Sequence, residues 1–150
     1  MTIIAIEQGR PRIAAMTRDY REIQEIVGGF FTTFFTIKSP AGGGRLLTGY
    51  VHDEGMYERL PTDIGVVYRE KYSIPLFGNA VIGAVDSSGE SQPLLDAEVK
   101  AIINQIYYHA DGDDILFPIV EDDNFDPNKF HIATVRAIFR LDKLAGQEDN

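Results

Sequence analysis

Phe30-Phe31-Thr32-Thr33-Phe34-Phe35-Thr36-Ile37, followed after the segment Lys38–Arg45 by Leu46-Leu47-Thr48-Gly49-Tyr50-Val51-His52, decides the fold. Aromatic and β-branched residues fit a pleated, packed surface, so both runs predict strands. The intervening Lys38-Ser39-Pro40-Ala41-Gly42-Gly43-Gly44-Arg45 has loop composition, and the whole predicts a hairpin with a long, flexible tip. Phe and Thr occur on both faces of the first run, which predicts a strand buried on two sides, since each aromatic ring carries so much apolar area.

Working toward the N-terminus, Asp19 stands three residues before Glu22, a capping-box spacing. Tyr20, Ile23, Ile26 and Val27 then recur at helical intervals, and Gly28-Gly29 provides the left-handed stop. Thr2–Glu7 and Arg12–Thr17 read as two short strands about a Gly9-Arg10-Pro11 turn.

Toward the C-terminus, Asp53-Glu54-Gly55 is a turn. Ile64, Val67 and Tyr68 at helical spacing predict a helix within Leu60–Tyr72, weakened by Gly65. Leu76–Val85 predicts a strand in which Gly78 and Gly83 allow close backbone approach. Leu95, Val99, Ile102, Ile103 and Ile106 form an apolar stripe, predicting a helix over Leu94–Tyr108. An acidic loop follows, interrupted by a short strand at Leu116–Val120. Period two in Phe130–Leu141 predicts a last strand, with a helix as the alternative. Strands and helices mix without regular βαβ alternation. The expected class is therefore α+β: a mainly antiparallel sheet with two main helices, one domain over 1–145 and a frayed tail at 146–150.

The 150 residues (44% hydrophobic, 25% charged) suffice for one domain with its own core. There is no cysteine, which removes disulfides and thiolate chemistry. No apolar run reaches the ~18 residues of a spanning helix. Met1 leads straight into a β-like stretch rather than a secretory signal, so a cytoplasmic protein is expected.

Residues 1–80 carry nine Lys/Arg and nine Asp/Glu, whereas 81–150 carry five against fourteen, so the net charge of −9 lies wholly in the second part. Its densest stretch holds Asp111, Asp113, Asp114, Glu121, Asp122, Asp123 and Asp126 with no basic residue among them. A nucleic-acid binder needs clustered Lys/Arg, so direct nucleic-acid binding is not expected.

Several segments resemble an uncharacterised domain-of-unknown-function family of small phage, plasmid and bacterial proteins. They are Ile4–Glu7 with Gln8-Gly9-Arg10-Pro11-Arg12, the helix end Ile23-Gln24-Glu25-Ile26-Val27-Gly28-Gly29-Phe30, the Asp53-Glu54-Gly55 turn, the Leu60-Pro61 pair and Ile82-Gly83. The resemblance spans about residues 3–105. His52 and Asp53 stand where that family usually has Asn and Glu, Asp63 where Asn normally follows Leu-Pro, and Gln8 where a proline is usual. The resemblance implies a mobile-element setting and cytoplasmic action, and no particular activity.

Chemistry-bearing patterns are few. His52, His109 and His131 have no histidine neighbour at ligand spacing, no Gly-x-Ser-x-Gly elbow occurs, and the acidic stretch does not match a twelve-residue calcium loop. No metal, cofactor or enzyme activity is expected. Gly42-Gly43-Gly44-Arg45 is the one phosphate-flavoured feature, because successive free N–H groups can cradle an anion and an arginine can grip it. The expected ligand set is Gly43, Gly44, Arg45, Arg59, Tyr68 and Arg69. The expected function is that of a phage or mobile-element counter-defence protein that binds and sequesters a small phosphate-bearing nucleotide signal. The alternative is an acidic, nucleic-acid-mimicking inhibitor that presents Asp113, Asp114, Asp122 and Asp123 to a host defence or nucleic-acid enzyme. Many β-prone strands with edges to cover further predict a homo-oligomer.

Overall fold

In a computed structural model, residues 1–17, 20–55, 58–69, 72–121 and 124–145 are described. The Phe-Thr hairpin is present: β3 (Phe31–Lys38) pairs antiparallel with β4 (Leu46–His52), from Phe31 opposite His52 to Lys38 opposite Leu46. The other elements are β1 (Thr2–Glu7), β2 (Arg10–Ala15), α1 (Arg21–Val27), β5 (Ile64–Arg69), β6 (Tyr72–Leu76), β7 (Ala80–Val85), β8 (Ser91–Gln92), α2 (Asp96–Ile103), β9 (Ile106–Glu121), β10 (Asn124–Phe139) and α3 (Leu141–Ala145).

Two sheets result. The first runs β2-β1-β7-β4-β3, with β8 also on β7, and is antiparallel throughout. The second runs β6-β5-β10-β9 and is mixed, because β5 and β10 are parallel. Alternation along β1 and β7 explains the layering. Ile4, Ile6 and Ile82 face a core shared with Ile64, Val66 and Phe139 of the second sheet, while Ile3 and Val81 face Ile23 and Val27 of α1. The rings of Phe35 and Phe139 meet edge-on at 5.8 Å across the shared core, which α2 (Val99, Ile102) and α3 (Leu141, Leu144) also line. Gly28 ends α1 at φ +90°, a left-handed turn that a side chain resists, and its N–H returns to the Gln24 carbonyl. Asp19 lies outside the described residues, but the Glu22 carboxylate does accept the Thr17 N–H at 2.6 Å.

The mixed α and β content and the mainly antiparallel pairing agree with expectation, but strands dominate, in two sheets rather than one. Four local expectations need correction. Leu60–Tyr72 is no helix: Ile64, Val66 and Val67 are buried in β5, and a strand apolar on both faces mimics helical spacing by chance. The second helix stops at Ile103, and Ile106-Tyr107-Tyr108 opens β9 instead. The acidic stretch through Asp114 is strand, not loop, because pairing with β10 buries Ile115, Ala133 and Val135 and leaves Asp111, Asp113 and Asp114 exposed. β3 lies at the edge of its sheet, so Thr32, Thr33 and Thr36 face solvent and Phe35 is its one buried residue. Phe130–Leu141 resolves as strand up to Phe139. The segment 146–150 lies outside the described residues.

Candidate functional site

The β3–β4 tip is tied down at several points. Ser39 N–H donates to the Arg45 carbonyl (2.9 Å), Gly42 N–H to the Ser39 carbonyl (3.0 Å) and Ala41 N–H to the Ser39 hydroxyl (3.1 Å). Arg45 reaches α2, donating from Nε to Glu98 Oε2 (3.1 Å) and from one terminal nitrogen to Glu98 Oε1 (2.7 Å) and the Pro93 carbonyl (2.8 Å). Glu98 is fully buried and also accepts the Ser39 hydroxyl and, at 2.8 Å, the Leu95 N–H at the start of α2. Burial by itself would push the Glu98 carboxyl up. The hydrogen bonds from Arg45, Leu95 and Ser39 outweigh it and hold the group below the usual carboxylate range. The tip is therefore not the loose loop expected from its composition, and Arg45 is not a free anion grip.

A cavity of about 630 Å³ lies beside this tip, lined by Lys38, Ser39, Gly42, Gly44, Arg45 and, from the β7–β8 turn, Ser87. The register explains why the two turns meet: Leu46 pairs with Val85, so both sit at the same end of the first sheet. Asp86 stiffens the second turn by accepting the N–H groups of Ser88 and Glu90 and the Ser88 hydroxyl, and these bonds lower its pKa. Gly42, Gly43 and Gly44 hold φ of +72°, +70° and +74°, and the N–H groups of Gly43 and Gly44 have no acceptor among the described residues. Lys38 is exposed and ion-pairs with nothing described. Among the described residues the cavity thus offers one free cation, a paired guanidinium, the free amide of Gly44 and hydroxyl groups, with the free amide of Gly43 next in the chain, an arrangement able to hold a small anion.

The rest of the expected ligand set is not gathered there. Tyr68 is half-buried, donates its hydroxyl to the Phe34 carbonyl at 3.4 Å, and burial raises its phenol pKa. Arg59 is exposed at φ +54° in the segment after β4, and the Arg69 side chain lies outside the described residues. Of the alternative acidic set, Asp113 contacts His109 at 3.2 Å and Asp114 accepts the Thr134 hydroxyl at 2.8 Å, both at exposed positions of β9. Asp122 and Asp123 lie outside the described residues.

At the far end of the hairpin, about 20 Å along the strands from the tip, a second cleft of about 290 Å³ lies between Gly28, Gly29 and Phe30 on one side and His52, Asp53, Glu54 and Glu58 on the other. His52 is 8% exposed. Its Nδ1 accepts the Glu54 N–H at 2.9 Å, which assigns the ring proton to Nε2, and Nε2 faces Glu58 Oε2 at 3.3 Å. Gly29 permits this packing, since a Cβ there would fall 2.6 Å from His52 Nε2. Sequence reasoning did not place a site here. The available signal was a Gly-Gly pair and a histidine-acid turn flanking the same hairpin.

Among the described residues, no three His, Asp or Glu side chains converge as a metal site, and no helix is long and apolar enough to cross a membrane. A family profile, the domain of unknown function DUF3846, matches residues 1–107, so the chain belongs to that family. No curated protein and no solved structure matches it.

Proposed function

We propose that this member of the DUF3846 family binds and sequesters a small phosphate-bearing nucleotide in the cavity beside the β3–β4 tip, without transforming it. The observation that carries the reading is the ligand-sized cavity lined by Lys38 and by Gly44, whose amide has no acceptor among the described residues. In this reading Lys38 supplies the charge and the Arg45–Glu98 pair holds the tip in shape, a division of labour that differs from an arginine grip. The mobile-element setting implied by the sequence resemblance would make such a binder a sponge for a host signal. A panel of mono-, di- and cyclic nucleotides, read by calorimetry and thermal shift, tests it. A ligand at 100 times its dissociation constant stabilises the fold by about 2.7 kcal/mol, and absence of any shift across the panel overturns the reading.

A second reading, an acidic inhibitor of a host enzyme, is favoured by one observation. Most of the β9–β10 arm lies beyond the family-matched residues and exposes Asp111, Asp113 and Asp114 beside the cross-strand pair Leu116 and Ile132. Such binding weakens steeply with salt, because exposed charges are screened over about 10 Å at 0.1 M.

A further inference from the structure

We infer that the His52 cleft is a second ligand site, complementary to an uncharged planar lactam ring of the guanine type. The inference is independent of the nucleotide cavity and rests on three features that point into one space. The first is a donor beside an acceptor. The Glu54 N–H holds Nδ1 as an acceptor, so the ring proton of buried His52 sits on Nε2 beside Glu58 Oε2, and both side chains line the cleft. Glu58 is half-exposed, and its second carboxylate oxygen has no partner among the described residues. The second is an aromatic wall: Phe30 is 77% exposed and lines the same cleft. An aromatic ring in that position offers a stacking platform for a flat heterocycle. The third is charge. Asp53, Glu54 and Glu58 line the cleft and, among the described residues, no Lys or Arg does, so these carboxylates repel a phosphate there but not a neutral base.

Hydrogen-bond pattern narrows the class further. A guanine-type edge presents a carbonyl next to a ring N–H and an exocyclic NH₂. The carbonyl accepts the His52 Nε2–H in place of Glu58 Oε2, and the paired N–H groups donate to the two Glu58 oxygens, the one so released and the one without a partner. Adenine lacks both the carbonyl and the adjacent pair of donors. A simple guanidinium matches Glu58 but leaves the His52 N–H facing other donors.

The test titrates the whole protein with guanosine, adenosine, guanosine monophosphate and methylguanidine by calorimetry and by histidine-resolved NMR. Guanosine is expected to bind at least tenfold more tightly than the other three, moving the His52 ring resonances. Glu58→Gln and Phe30→Ala, both at exposed positions, should each weaken it at least tenfold at unchanged melting temperature. Lys38→Glu should leave it unaltered. Failure of guanosine to bind, equal binding of adenosine, or equal binding of methylguanidine (a plain cation site) overturns the inference. Guanosine binding that is lost with Lys38→Glu and kept with Glu58→Gln also overturns it, since the ligand then occupies the tip cavity and supports that reading alone.

Discussion

Arg45 and Glu98, 53 residues apart in the chain, meet through two guanidinium nitrogens and both carboxylate oxygens, with the carboxylate withdrawn from solvent altogether. Removing one member of a buried pair leaves the other charge without its counter-ion, at about 3–5 kcal/mol, and here Glu98 would keep only the Ser39 hydroxyl and the Leu95 N–H. Arg45→Ala should therefore destabilise the fold by about that amount in urea denaturation. Arg45→Met combined with Glu98→Leu should recover much of it. A loss below about 1 kcal/mol for Arg45→Ala would mean that the clamp contributes no more than a surface ion pair.

The same pair makes stability acid-sensitive. Glu98 is held below its unfolded value, so its contribution is fully present above the unfolded carboxyl pKa, near 4.3, and is lost as pH falls through the lower folded value. Asp142, whose hydrogen bonds from Arg140 lower its pKa, acts in the same direction. Urea midpoints should fall as the solution is acidified below about pH 4. In Glu98→Gln the fall should be shallower, with Asp86 and Asp142, whose pKa values are also lowered, contributing to what remains. Identical pH profiles for the two proteins would exclude the role assigned to Glu98.

What was legible in the sequence was local. The Phe-Thr hairpin and the Gly28 stop follow from neighbours a few residues apart, and each recurs in the structure with small shifts in its ends. The β5 strand was not legible because Ile64, Val66 and Val67 are buried on both faces, so periodicity carries no strand signal there. The site was half legible. Lys38–Arg45 does border a cavity, but the partner that redefines Arg45 lies on α2, and no spacing rule connects them.

Gly29 is a sharper probe of the second cleft. A methyl group at this position would fall 2.6 Å from His52 Nε2, well inside van der Waals contact, so the histidine must move. Gly29→Ala should cost about 1–3 kcal/mol, as overpacking does. It should also shift the His52 ring resonances in NMR while leaving those of His109 and His131, on the β9–β10 arm, in place. Unchanged His52 resonances would show that the ring does not sit against this glycine.

The arm beyond the family-matched residues is two things at once. Phe139 is fully buried between the sheets, whereas Ile132 is 67% exposed on the same strand. Phe139→Ala should cost about 3–5 kcal/mol, and Ile132→Thr should stay within about 0.5 kcal/mol. Chemical denaturation of the two variants checks this. Equal effects would mean that the arm and the shared core do not divide as described.

The tip cavity is best probed at Lys38, because Arg45 is coupled to folding and Lys38 is not. Lys38 is exposed at the end of an edge strand and holds nothing else in place, so Lys38→Glu should change the melting temperature little. The substitution replaces the one free cation with a carboxylate facing the same space. A charge-assisted hydrogen bond contributes about 1.5–3 kcal/mol, and repulsion adds to its loss, so affinity for a phosphate-bearing ligand should fall at least tenfold. Arg45→Lys separates shape from charge at the same cavity: it keeps the positive charge but cannot span both Glu98 oxygens as the planar guanidinium does. If the tip geometry matters, Arg45→Lys should weaken ligand binding and lower the melting temperature together, while Lys38→Glu weakens binding alone. Unaltered affinity in Lys38→Glu would remove the cavity as the anion site.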